Sequence, residues 1–370
     1  MKKFLLSGIL IMLLIGCRDT SRVSFEPLYT PTYASGFTIE AAGDSSTVIT
    51  VRNPWQGADS VTYRLFIARG GETPPEGFEG QVLEGDARRI AVMSSTHVAM
   101  LDALGETDRI AAASGVRYIS SPRIDPDIPD VGYEGAIDYE KLLGARPDLV
   151  MLYGVSSASA MESKLDELGI PYIYMGEYLE ESPLGKAEWV VAAGEVTGHR
   201  EEARRLFSAI PARYDSLKAA VARAAEPAPR VLVNAPYGDT WFMPSSSSYA
   251  ARLITDAGGT NLFTEATGNS SAPVDPEKAY LMAADADVWL NPGTAESIGQ
   301  LGRMTPRFTD IPPVREGRVY NNNLRTNAAG GNDYYESGVM HPDLILADLI
   351  RIFHPGVLPE GTFTYYRHLE

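Results

Sequence analysis

The chain has 370 residues, 44% of them hydrophobic, with 32 basic against 48 acidic side chains and a formal net charge of -16. A chain this acidic is repelled by a phosphate backbone, so no nucleic-acid partner is expected. Its one cysteine, Cys17, rules out a disulfide within the chain, and the length accommodates two lobes of roughly 150 residues with real cores.

The first residues run Met1-Lys2-Lys3, an apolar stretch from Phe4 to Ile15, then Gly16-Cys17. The stretch is too short to span a bilayer and has the layout of a secretory signal. The tetrad Leu14-Ile15-Gly16-Cys17 resembles a bacterial lipobox, which implies cleavage after residue 16 and lipidation of Cys17. The leader carries two lysines and no carboxylate, so its loss would leave the body more acidic still. Arg18 to about Gly36, with its Ser, Thr and Pro, reads as a tether.

From Phe37 to Ala68 the pattern has period two, as in Thr47-Val48-Ile49-Thr50-Val51 and Tyr63-Arg64-Leu65-Phe66-Ile67, and predicts antiparallel strands. From Arg89 short apolar runs alternate with helical stretches, the signature of βα units on a largely parallel sheet. The runs Ile90 to Met93, Ile110 to Ala113, Asp148 to Tyr153 and Tyr172 to Met175 are the strands of a first set. Leu184 to Ala225 is a helical tract, and one helix from His199 to Ala225 would reach about 40 Å, a strut between lobes. A second set follows: strands at Arg230 to Asn234, Asp287 to Leu290 and Arg318 to Asn321, a helix from Tyr249 stopped by Gly258-Gly259, and a last amphipathic helix, Pro342 to Phe353. The expected division is a signal peptide at 1–16, a lipidated tether at 17–36, an N-terminal lobe with an antiparallel β insert at 37–182, an interlobe helical segment at 183–228 and a C-terminal lobe at 229–370.

Two segments match in register: Asp138-Tyr139-Glu140-Lys141 before the strand at Asp148, and Asp275-Pro276-Glu277-Lys278 before the strand at Asp287. Each aspartate suits an N-cap, Pro276 suits the first helical position, and each glutamate falls in a first turn, where the helix dipole favours it. With Ala145-Arg146-Pro147-Asp148-Leu149-Val150, Leu168-Gly169-Ile170-Pro171-Tyr172, the strut and Asp256-Ala257-Gly258-Gly259-Thr260-Asn261, the sequence resembles the class III, helical-hinge substrate-binding proteins of ABC importers, which carry vitamin B12, ferric siderophores or haem. The resemblance covers about Arg89 to Phe353. It implies an α/β fold of two Rossmann-like lobes joined by a long rigid helix, with the ligand cleft between them. It also implies that Glu140 and Glu277 dock onto arginines of the permease subunits. The insert at 37–68 and the tail Ala329 to Tyr335 go beyond the family's minimal form.

Ligands of open parallel sheets sit beyond the carboxyl ends of the strands. Reading past each strand gives His97, Tyr118 and Tyr153 in the first lobe, and Tyr237, Trp241, Arg325, Tyr334 and Tyr335 in the second. These aromatic, polar and basic groups suit a large, flat or chelated ligand, and they leave a siderophore, haem and a corrinoid all open. His97 or a tyrosine is of the type that binds haem iron. The five histidines show no paired spacing, so no dedicated site for a free metal ion and no resident cofactor are expected. The chain has no Gly-x-Ser-x-Gly elbow, His-Glu-x-x-His or Walker loop, which argues against an exported hydrolase. The expectation is a monomeric, non-enzymatic lipoprotein on the periplasmic side of a bacterial envelope. The competing reading is a storage lipoprotein that hands its cargo to an outer-membrane receptor.

Overall fold

The computed structural model describes residues 24–224 and 226–370, so the expected signal at 1–16 and Cys17 lie outside the described residues. Strand β1 (Glu26–Tyr29) pairs antiparallel with β2 (Phe37–Ala41). Strands β3 (Thr47–Arg52) and β4 (Thr62–Ala68) continue the antiparallel meander, and β5 (Gln81–Glu84) joins β4 in parallel. Alternation sends Phe37, Ile39, Ile49, Val51, Leu65 and Ile67 into the main core, while Val48 and Phe66 face the other way under Phe25 and Phe78. This sheet is separate from the parallel one that follows.

The tether expectation needs correcting here, because the second half of 17–36 belongs to the fold. Two buried carboxylates clasp it. Glu188 accepts hydrogen bonds from the Tyr29 hydroxyl (2.7 Å) and the amides of Thr32 (2.9 Å), Tyr33 (2.7 Å) and Ala34 (2.8 Å). Glu180 accepts from the amides of Ser35 (2.9 Å) and Gly36 (3.0 Å) and from the Trp189 indole (3.0 Å).

The first parallel sheet holds β6 (Ile90–Val92), β7 (Ile110–Ala113), β8 (Leu149–Leu152) and β9 (Tyr172–Tyr174), in spatial order β7-β6-β8-β9. Its helices are α1 (Ser95–Ala103), α2 (Tyr139–Ala145) and α3 (Glu162–Leu168). Next come α4 (Pro183–Glu188), the wholly buried α5 (Val190–Thr197) and the strut α6 (Arg200–Ala224), whose 25 residues extend for roughly 37 Å. Helix α6 buries Ala203, Phe207, Ile210 and Tyr214.

The second half holds β10 (Arg230–Val233), a hairpin of β11 (Pro236–Tyr237) and β12 (Thr240–Pro244), then β13 (Thr260–Asn261) and β14 (Ser271–Val274). Strands β15 (Val288–Leu290), β16 (Val319–Asn321) and β17 (Arg367–His368) complete it. The main sheet runs β13-β10-β15-β16-β17, parallel except for β17, and β14 adds to the hairpin as a small antiparallel sheet. Around these lie α7 (Tyr249–Asp256), α8 (Pro276–Ala283), α9 (Ile298–Met304), α10 (Pro312–Arg315) and α11 (Pro342–Phe353).

Both parallel sheets thus follow the order second, first, third, fourth. A local device repeats with them: the Asp148 carboxylate takes the amides of Arg88 and Arg89, and the Asp287 carboxylate takes the amide and guanidinium of Arg230. The aspartate at the head of each third strand therefore pins the head of each first strand. One core runs from the first lobe through α5 and α6 into α7 and α11, while a second, with Trp241, Trp289 and Phe308, fills the outer half of the C-terminal lobe. Ion pairs Arg213–Asp343 (2.6 Å) and Lys218–Asp256 (3.0 Å) fasten the strut to that lobe.

Candidate ligand cleft and docking helices

The carboxyl ends of the two parallel sheets face each other. The loop after β7 touches the segment after β16, the loop after β9 accepts a hydrogen bond from Asn269 at the Leu179 carbonyl (2.8 Å), and the Lys186 ammonium lies 4.9 Å from the centre of the Tyr249 ring. Switch-point geometry places ligands in such a crevice.

On the first-lobe side, Gly115 turns the chain at φ +65°, a conformation that favours glycine. Asp130 holds the turn, accepting from the amides of Gly115 (3.0 Å), Val116 (3.1 Å) and Gly132 (2.9 Å). The turn delivers Arg117 and half-buried Tyr118. The Arg117 guanidinium donates to the Tyr118 hydroxyl at 2.6 Å, with its carbon 4.5 Å from the ring centre. Beside them a cavity of about 400 Å³, lined by Arg117, Asp130, Tyr133, Asp138 and Lys141, runs to the start of α2. Tyr153 is half-buried after β8, and burial, then the charge of Glu134, raises its pKa.

On the other side, Tyr237 at the hairpin tip is 83% exposed, Phe242 45% and Tyr335 58%. The Tyr335 hydroxyl accepts from the Asn322 side-chain amide at 3.1 Å. Exposed Arg325 pairs with buried Asp333 at 2.9 Å and lies 5.6 Å from the Tyr365 ring.

Three expected ligand contacts are corrected. His97 is fully buried and neither ring nitrogen makes a hydrogen bond of normal geometry; burial, opposed by the nearby Met151 carbonyl, pushes its pKa down to about 3. Helix α1 begins at Ser95, and its third residue points into the core. Trp241 is fully buried, its indole donating to the Val233 carbonyl at 2.8 Å and its ring packed on Phe308. Tyr334 is buried edge-on against Tyr365 and Tyr366, supporting Tyr335 from below.

Other groups escaped the sequence reading. Trp55, on the β3–β4 loop, lies against Gly154, where an added Cβ would stand 3.2 Å from the indole, and the neighbouring amide of Gln56 donates to the Val155 carbonyl at 2.9 Å. The N-terminal sheet thus buttresses a cleft loop. Buried Glu177 accepts from the Thr96 hydroxyl at 2.6 Å, and Asn327 and Glu336 join the lobes. None of these lies in a local motif.

The helix starts form as expected. Asp138 accepts from the Lys141 amide at 3.0 Å, and Asp275 from the amides of Glu277 (2.9 Å) and Lys278 (3.2 Å). The amide of Lys141 holds the Asp138 carboxyl below its usual range. Glu140 and Glu277 are exposed in the first turns of α2 and α8, and Glu277 faces Arg307 at 3.8 Å. A larger cavity, about 470 Å³, lies near the amino end of β6, away from the cleft. Four of its charged side chains pair with one another: Arg69 with Asp86 (2.7 Å) and Glu195 (2.8 Å), Arg200 with Glu195 (2.8 Å).

Two lobes of repeated topology, a helical strut and a facing crevice define the helical-hinge class of binding protein. The family model described as periplasmic binding protein matches residues 90–323, and the chain belongs to that family. It is similar to an uncharacterized lipoprotein of Methanocaldococcus jannaschii, 26% identical over 332 residues that span 82% of this chain and 77% of the relative. A periplasmic heme binding protein from Pseudomonas aeruginosa shares the fold with a TM-score of 0.60 at 18% identity, over 75% of this chain and 96% of that one. The periplasmic heme-binding protein BhuT, solved with two hemes, gives 0.54 at 21% identity, over 72% and 100%. Among the described residues no helix is long and apolar enough to cross a membrane.

Proposed function

We propose that this chain is the lipid-anchored substrate-binding subunit of an ABC importer, that it captures an iron chelate in the interlobe cleft, and that haem is the best-supported cargo. The observation that carries the reading is the pair Arg117 and Tyr118 at the carboxyl end of β7, with Tyr335 and Tyr237 exposed on the other lobe. A phenol oxygen is a suitable donor to a hard ferric ion, and the guanidinium bonded to it orients its lone pairs. Flat aromatic faces on the opposite lobe supply stacking area for a macrocycle at little conformational cost. Two fold neighbours are heme-binding by their own description, which supports the same cargo.

Delivery follows from the repeat. Each lobe offers a helix start bearing an exposed glutamate, so a permease with two basic contacts would engage both lobes at once through Glu140 and Glu277. The lipidated Cys17 would keep the loaded protein at the membrane face, and the family and the lipoprotein relative support that placement.

The test is titration of the full-length chain with haemin, ferric siderophores and cyanocobalamin, followed by visible absorbance and tryptophan fluorescence. Saturable submicromolar binding of haemin with a shifted Soret band is the expected result. Saturation by a siderophore or cobalamin alone would reassign the cargo, and no binding of any would sink the iron-chelate reading.

A further inference from the structure

The segment that follows β16 does more than line the C-terminal side of the cleft. Its side chains bind the backbone of the opposite lobe at the loop that presents Tyr118. The two oxygens of Glu336 accept the amides of Ser120 and Ser121, both at 2.7 Å. The Asn327 side-chain amide donates to the carbonyls of Arg117 (3.2 Å) and Ile119 (3.1 Å). The oxygen of the same side chain accepts from the amides of Ala329 (3.0 Å) and Gly331 (2.8 Å), which stiffens the turn that carries it. Gly331 packs so closely that an added Cβ would stand 1.9 Å from the Tyr118 carbonyl oxygen.

We propose that Glu336 and Asn327 are positioning residues, an interlobe latch that fixes the Arg117–Tyr118 loop in the geometry that receives the ligand. The proposal rests on the reading that Tyr118 faces the cargo. From residue 117 to 121, two carbonyls and two amides are taken up by side chains of the other lobe, so the backbone is gripped on both sides of Tyr118 while its phenol ring is left to the cleft. Loops at the ends of strands are by default the mobile part of such a fold. A loop already ordered by a buried, bidentate carboxylate loses less freedom when ligand arrives, and affinity rises accordingly.

Glu336 is 2% exposed, and burial, with the charges of Asp333 and Asp102 behind it, pushes its carboxyl up to about 7 against the opposing pull of the Ser120 and Ser121 amides. Asp333 is paired with Arg325, and Asp102 with Arg123. Protonation removes one of the two acceptors, so the latch should loosen as pH falls below about 7.

The test uses the full-length chain as wild type, Glu336→Gln and Asn327→Ala. Without ligand, hydrogen exchange of the peptide covering residues 114–123 should be at least about tenfold faster in both variants, with peptides from α6 unchanged. Haemin affinity should drop about tenfold in Glu336→Gln. Wild-type affinity should fall between pH 8 and pH 6, while that of Glu336→Gln stays flat, a contrast that a merely structural residue would not give. Equal exchange rates in all three proteins, or equal haemin affinity and pH profiles in wild type and Glu336→Gln, would overturn the proposal. If the wild type binds no haemin, the cargo reading fails, and the latch is then judged on exchange alone.

Discussion

The guanidinium of Arg117 donates to the hydroxyl of Tyr118 at 2.6 Å while its carbon stands 4.5 Å from the same ring, so one arginine sets both the lone pairs and the tilt of the phenol. A planar fork does this where a lysine would act as a point charge. Removing the oxygen should therefore remove a directional contact. Tyr118→Phe is expected to weaken haemin binding by about tenfold or more, equivalent to about 1.4 kcal/mol, and to move the Soret band. Arg117→Lys should have a smaller effect of the same sign. An absorption titration checks both, and an unchanged spectrum in Tyr118→Phe would remove that residue from the iron.

Glu140 and Glu277 contribute little to folding, since each is an exposed first-turn carboxylate favoured by the helix dipole. Reversing both to lysine should lower stability by only about 1 kcal/mol. Transport should respond differently: haemin affinity unchanged, delivery to permease-containing vesicles lost, and wild-type association with the permease slower as salt rises. Normal delivery by the double variant would favour a storage protein over an importer subunit.

His97 shows how far position alone can mislead. A histidine following a parallel strand is well placed for a cleft, but the rotation of α1 decides where the ring goes, and here it goes inward. Replacing a buried, unpartnered polar ring by an apolar group of similar size should be nearly neutral at pH 7.5, within about 1 kcal/mol, and His97→Leu should keep wild-type haemin affinity. In acid the two proteins should diverge. With its folded pKa depressed to about 3 from 6.5, His97 stays neutral in the fold and takes a proton on unfolding, so its contribution is present above pH 6.5 and is lost as pH falls toward 3. Urea midpoints at pH 7.5 and pH 4.5 should fall further in the wild type than in His97→Leu. Loss of haemin affinity in the variant would return His97 to the cleft.

Much of the architecture could be read locally. Strand periods, the glycine after α7, the long strut and both aspartate-capped helix starts depend on neighbours within a few residues, and each stands where expected. The cleft was legible only in part. Which end of each strand lines the crevice follows from parallel topology, but burial of Trp241 and Tyr334 depends on Phe308, Tyr365 and Tyr366, which no local pattern connects to them. Glu336 and Ser120 lie 216 positions apart, so nothing in either neighbourhood announces the contact.

The segment from Tyr29 to Gly36 is the sharpest case, because its composition reads as a linker while its amides are bound like a strand's. What orders it is Glu188, 1% exposed, with the Tyr29 hydroxyl and three consecutive amides, Thr32, Tyr33 and Ala34, directed at its two oxygens. Without that carboxylate, part-buried donors lose their acceptor, and each such loss costs at most about 1–3 kcal/mol, less where water reaches the freed donor. Glu188→Ala should therefore lower the unfolding free energy by about 3 kcal/mol, with Glu188→Gln intermediate because it keeps one acceptor oxygen. Limited proteolysis should cut the alanine variant within residues 29–36, where the wild type resists. Urea denaturation with a loss below about 0.5 kcal/mol, and no new cleavage, would mean that the segment is held by β1 pairing instead of by the carboxylate clasp.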